Sequence, residues 1–159
     1  MKVFKLLVLA VLAGFAGVYG LSEVAARDFH LKVVTENGAR SYALSDLDRL
    51  PQVELETETT WSRKKKIFSG PLVRDVLEAS GIGNKELIVT AKAYNGYHVT
   101  IPVNEFYDWD VLLATRENGE PIPLDARGPI RFVYDFAEVG AGKDSYWIWM
   151  LQELSVSPE

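Results

Sequence analysis

A metal site draws on several His, Cys, Asp or Glu side chains at ligand spacing. This chain offers two histidines, His30 and His98, far apart in sequence, and no cysteine at all. Each histidine therefore reads as an ordinary surface or edge residue. The missing cysteine excludes disulfides, thiolate nucleophiles and thiolate-held metals. Gly140-Ala141-Gly142-Lys143 has the look of a phosphate loop. However, Ala137 stands where that motif needs its first glycine, and Asp144 where a hydroxyl residue must follow the lysine. It is expected to be a flexible surface loop. No serine sits in a G-x-S-x-G elbow. Asp108-Trp109-Asp110 has two carboxylates without a neighbouring base and reads as a surface turn.

What remains is aromatic, amide and guanidinium chemistry. Trp61 follows an alternating polar strand and precedes Arg63-Lys64-Lys65-Lys66. A loop tryptophan in that setting suits a binding role, with packing or a partner contact as the alternative. The basic run reads as a solvated edge, since edge lysines block sheet-to-sheet aggregation, or as an anion trap. Asn95 precedes Gly96, so turn chemistry explains it as well as ligand contact does. Tyr97, at a strand start, is either core or contact. Arg127 and Arg131 flank Gly128-Pro129. Arg131 alternates with Phe132 and suits an internal ion pair, whereas Arg127 suits an anion. Trp147 and Trp149 share a face, so one or both belong to the core.

These residues need a scaffold. Hydrophobic residues make up 48% and charged residues 25% of the 159, ordinary values for a globular chain. With 17 basic and 22 acidic side chains the net charge is −5, which is no nucleic-acid footprint. Lys2 and Lys5 precede an apolar run from Leu6 to Val18, too short for a comfortable membrane span and typical of a signal-peptide core. Cleavage is expected after Ala26, with an uncleaved anchor as the alternative. This gives a signal peptide at 1–26, one domain at 27–156 and a tail at 157–159, with a periplasmic location.

Within the domain, strands are expected at Phe29 to Val34, Arg40 to Leu44, Gln52 to Thr60, Glu86 to Ala93, Tyr97 to Ile101, Val111 to Arg116, Ile130 to Tyr134 and Tyr146 to Val156. The turn dipeptides Asn37-Gly38, Asn95-Gly96 and Asn118-Gly119 separate several of them. Short helical turns are expected at Ser45 to Asp48 and Val103 to Trp109. Pro71 at a first helical position, the stripe Leu72, Val73, Val76, Leu77 and the stop at Gly81 predict one substantial helix. The class is a β-rich α+β single domain.

Five ordered blocks then carry a family resemblance. They are Thr57-Glu58-Thr59-Thr60-Trp61; Phe68-Ser69-Gly70-Pro71-Leu72 through Leu77 to Gly81; Ala93-Tyr94-Asn95-Gly96-Tyr97 with Ile101-Pro102; Leu113-Ala114 with Asn118-Gly119; and Arg127-Gly128-Pro129-Ile130-Arg131-Phe132-Val133-Tyr134, closing on Tyr146-Trp147-Ile148-Trp149 and Leu154-Ser155-Val156. Over about residues 29 to 156 the chain resembles the molybdopterin-binding domain of the sulfite oxidase family. The resemblance implies that family's layered β-rich fold around a pterin pocket.

Enzymes of that family hold molybdenum through the pterin dithiolene and one cysteine, in the loop between a strand and the F-x-G helix. The corresponding stretch here, Thr59 to Phe68, holds Trp61 and no cysteine, and Arg127 replaces the usual histidine. Losing that soft ligand removes oxygen-atom transfer from the expectation, so no catalytic residue and no metal are expected. A flat pterin ring still needs an aromatic face and a few polar contacts. The resemblance places Trp61, Asn95, Tyr97, Tyr134 and Trp149 there, with Arg127 as the anion contact. It extends to small exported members that bind free reduced pterins and dock on the periplasmic domain of a membrane enzyme of cyclic di-GMP metabolism. The expected function is therefore non-catalytic pterin binding with signalling to such a partner. The alternatives are a molybdopterin-dependent oxidoreductase with altered ligation and a ligand-free interaction scaffold.

Overall fold

A computed structural model describes residues 29–59, 61–83 and 86–158, so the expected signal peptide lies outside the described residues. The strands are β1 (His30–Thr35), β2 (Gly38–Ala43), β3 (Val53–Thr59), β4 (Ser62–Gly70), β5 (Leu87–Ala93), β6 (His98–Pro102), β7 (Leu112–Ala114), β8 (Arg116–Glu117), β9 (Glu120–Pro121), β10 (Arg131–Val133) and β11 (Leu151–Pro158). The helices are α1 (Leu44–Leu47), α2 (Val73–Ala79), α3 (Glu105–Asp108) and α4 (Phe136–Val139), with 3-10 turns at Leu124–Ala126 and Gly140–Tyr146.

A five-stranded sheet runs in the order β2-β1-β11-β5-β6. β11 lies at its centre, parallel to β1 and antiparallel to β5. Leu31, Val33, Val89, Ala91, Leu151 and Leu154 are buried in it. A four-stranded sheet, β3-β4-β8-β9, and the pair β10-β7 complete the layers. The turn dipeptides act as expected: Gly38, Gly96 and Gly119 have positive φ, as has Asn118 at 53°. α2 buries Val73, Val76 and Leu77, and the chain leaves it through Gly81 at φ 83°. Its first residue is Val73, so Pro71 precedes the helix rather than opening it.

Gly70 fixes how β4 meets β7. A Cβ there would overlap the Leu113 carbonyl, and the two backbones are joined by Leu113 N to Pro71 O at 2.8 Å and Thr115 N to Ser69 O at 3.0 Å. Gly128 is equally confined, since a Cβ would overlap the Ile122 carbonyl.

Five further expectations change. Ser62–Gly70 is a strand paired with β3, not a loop, so Trp61 lies in a hairpin turn. Residues 146–150 are not strand: Tyr146 ends a 3-10 turn, Met150 has φ 54°, and β11 begins only at Leu151. The expected strand at Val111 to Arg116 is divided between two sheets, as β7 and β8. Gly140–Tyr146 is a 3-10 turn whose Lys143 is ion-paired, rather than a free loop. β11 continues to Pro158, which pairs with Leu87, so it takes in two of the three residues expected as a tail.

Candidate functional site

The β3–β4 hairpin, the segment before β11 and the loop before β10 converge. Thr59 pairs with Ser62, so Trp61 occupies the turn between the strands and remains 55% exposed. Its ring lies 4.5 Å from Trp149 at 66° and 6.0 Å from Trp147 at 77°, both edge-on. Such tilted contacts suit the ring quadrupoles. The Arg127 guanidinium sits 4.1 Å from the Trp149 ring centroid, a cation–π contact.

Backbone pairing places these groups. Met150 N donates to Arg127 O at 3.2 Å, Leu151 N to Ile130 O at 3.0 Å and Phe132 N to Ile148 O at 3.0 Å. An isolated bridge joins Arg131 to Trp149. Arg127 takes a left-handed conformation, φ 66°, as it leaves the 3-10 turn at Leu124–Ala126. It is exposed, whereas Trp149 is half-buried.

Trp147 and Tyr134 lie beneath. Both are buried, with ring centroids 6.4 Å apart at 35°. The Tyr134 hydroxyl and Trp147 Nε1 are buried without a hydrogen-bond partner among the described residues. Burial pushes the Tyr134 phenol well above its ordinary range, and Glu105 and then Tyr146 add to the shift. Lys143 Nζ donates to Glu105 Oε2 at 2.8 Å. It lies 2.7 Å from Oε1 without making a second hydrogen bond, so the buried Oε1 has no hydrogen-bond partner among the described residues.

Of the six sequence candidates, Trp61, Trp149, Arg127 and Tyr134 thus fall in one train of ring and cation contacts, linked through Trp147. Asn95 and Tyr97 are tied elsewhere. Asn95 Oδ1 accepts from Tyr97 N at 3.0 Å, as an Asx turn does, and the Tyr97 hydroxyl donates to Ser145 O at 2.9 Å. Arg131 makes the internal pair expected of it, 3.0 Å from Glu117 Oε2, and Glu117 Oε1 also meets Lys66 at 2.5 Å. Glu105, Lys143 and Trp147 were not singled out from sequence as ligand contacts. Lys143 was hidden in a failed phosphate-loop pattern, and an isolated glutamate in a short helical turn gives no signal. A separate cavity of about 230 Å³ is lined by Glu56, Thr57, Glu58, Lys65, Asp135 and Phe136, none of them a candidate.

The residues present can be weighed against a metal-bearing pterin. The organic ring fits: aromatic surface, a cation and unpaired buried donors stand together. The family's thiolate-ligated metal does not, because the chain has no cysteine. Among the described residues no group of three or more His, Cys, Asp or Glu side chains is arranged to hold a metal ion.

Comparison with known proteins agrees with this architecture. The model of the oxidoreductase molybdopterin binding domain family matches residues 19–152. An uncharacterized oxidoreductase of Bacillus subtilis, YuiH, is 26% identical over 114 residues, covering 69% of this chain and 57% of the relative. The chain thus matches little more than half of that relative's length. Among solved structures, the sulfane dehydrogenase SoxCD from Paracoccus pantotrophus superposes with a TM-score of 0.65 at 15% identity, over 84% of this chain and 39% of that one.

Proposed function

This chain belongs to the oxidoreductase molybdopterin binding domain family, and from that premise we propose that it is a non-catalytic member that binds a reduced, metal-free pterin. The observation that carries this reading is the meeting of Trp61, Trp149 and Arg127 at the surface, above the unpartnered donors of Trp147 and Tyr134. The exposed Trp61 would stack on a ring face, Trp149 would border the ring beside it, and Arg127 would hold an anionic substituent. Where the family's enzymes carry a thiolate, a hairpin strand and Trp61 stand instead. When bound, a molybdopterin would supply oxygen-atom transfer at its metal, and that chemistry needs the missing soft ligand. In this reading the protein acts after export to the periplasm. It reports pterin occupancy to the periplasmic part of a membrane enzyme of cyclic di-GMP metabolism.

The test uses the full chain, expressed with its N-terminal segment and titrated anaerobically with tetrahydropterin while tryptophan emission is followed. Saturable quenching is expected. Trp61→Ala should weaken binding about tenfold to a hundredfold, the range for stacking one flat heterocycle on an aromatic side chain. Absence of saturable binding overturns the reading. Near-stoichiometric molybdenum in protein from a cofactor-competent host would replace it with a molybdopterin enzyme of altered ligation.

A further inference from the structure

We propose that Glu105, with the unpartnered hydroxyl of Tyr134 and Nε1 of Trp147, selects a 2-amino-4-oxo ring edge, which makes the site specific for pterins over their 2-oxo counterparts, the lumazines. This inference rests on the pterin-binding reading and deepens it. Six buried side-chain polar atoms lack a hydrogen-bond partner among the described residues, and three of them belong to linked residues: the donors Tyr134 Oη and Trp147 Nε1, on rings 6.4 Å apart, and the acceptor Glu105 Oε1, whose charge acts on the Tyr134 phenol. Tyr134 is 1% and Trp147 4% exposed, and the Glu105 side chain 12%. Buried groups of this kind are normally paired, and each one left alone carries a desolvation cost. Several together mark a place where something else completes the set.

The set has a definite polarity. A carboxylate only accepts, and has about four lone-pair positions. Lys143 donates one hydrogen bond, to Oε2, and its ammonium lies 2.7 Å from Oε1, so one cation serves both oxygens and the carboxylate keeps lone pairs that Lys143 does not fill. Lys143 also holds the Glu105 side chain in place. The indole N–H only donates, and the phenol donates readily. Along one edge a pterin presents an amino group at position 2, an N3–H and a carbonyl at position 4: two donors, then an acceptor. A carboxylate beside two donors is the complement of that order. A lumazine carries a carbonyl at position 2, which would meet the carboxylate lone pair to lone pair.

The contacts also connect this polar end to the stacking end. Trp147 touches Trp61 on one side and Tyr134 on the other, at 6.0 and 6.4 Å between centroids. The charge on Glu105 is felt at the Tyr134 phenol.

The experiment compares tetrahydropterin with tetrahydrolumazine on the full chain, by anaerobic fluorescence titration, in wild type and two variants. Wild type should prefer the pterin by about tenfold to a hundredfold, as a two-point hydrogen-bond match discriminates. Glu105→Gln should reverse the preference, because a carboxamide both donates to the 2-oxo group and accepts from N3–H. Tyr134→Phe should weaken both ligands alike, since both keep the 4-oxo group, and leave the wild-type preference in place. It needs no change at the ion pair, so it stands if Glu105→Gln misfolds. Equal binding of both ligands by wild type, or an unchanged preference in folded Glu105→Gln, overturns the assignment of Glu105 and leaves pterin binding intact. Binding of neither ligand overturns both.

Discussion

Tyr134 is among the largest fully buried side chains, and its hydroxyl has no partner among the described residues. A site kept ready for a ligand holds such groups at a cost to the free protein. Tyr134→Phe deletes the unsatisfied oxygen and keeps the ring against Trp147. The free variant should therefore be as stable as wild type or more stable by about 1 kcal/mol in urea denaturation, while it binds pterin less well. The pH dependence adds a second reading of the same residue. Burial raises the folded-state phenol above its unfolded value. Below about pH 10 both states are protonated and the contribution is fully present. Above that, the unfolded tyrosine ionises and the folded one does not, so stability falls as pH rises. Phe at 134 should remove that part of the alkaline fall. A clear loss of stability in the variant at neutral pH would show that the hydroxyl is satisfied in the free protein.

Between elements, the ion-pair network at Glu117 joins three strands that otherwise share few ladder bonds. Glu117 on β8 meets Arg131 on β10 and Lys66 on β4, and the Arg131 side chain is only 11% exposed. β4 and β8 pair only at Phe68 and Ser69. Burial lowers the Arg131 pKa, while Glu117 opposes the fall. Glu117→Ala strands a buried guanidinium, so it should cost about 3 kcal/mol in denaturant melts. A cost below about 1 kcal/mol would mean that water reaches Arg131 freely.

The Arg131 pairing was legible because its alternation with Phe132 turns it inward. The same alternation misled at Trp147-Ile148-Trp149. Alternating side chains report an extended chain and say nothing of a neighbour to pair with, and here only one isolated bridge forms. β4 was missed for the converse reason. β8 covers only its far end, so Arg63, Lys64 and Lys65 face water and the strand reads as a charged loop.

At the scale of the molecule, the turn dipeptides and the α2 stripe announced most of the layered fold, whereas the site depends on contacts between distant segments. Trp61 and Trp149 meet only because the β3–β4 hairpin and the segment before β11 are carried by different sheets, and no local pattern encodes that meeting. Glu105 and Lys143 likewise belong to separate turns. A ligand that bridges such segments should couple to global stability.

At a free concentration one hundred times its Kd, a ligand confined to the folded state adds about 2.7 kcal/mol. For a domain of this size that corresponds to a Tm increase of roughly 10 °C. Trp61 is 55% exposed in a hairpin turn, so Trp61→Ala should lower the free protein's Tm by no more than a few degrees. At the same pterin concentration, however, a tenfold to hundredfold weaker site leaves only about 0.4 to 1.4 kcal/mol of the ligand's contribution. Thermal melts with and without tetrahydropterin should therefore show the increment reduced to half or less in the variant. An undiminished increment would place the ligand away from the hairpin, and the aromatic cluster would then be a packing feature that fastens the β3–β4 turn to the body of the domain.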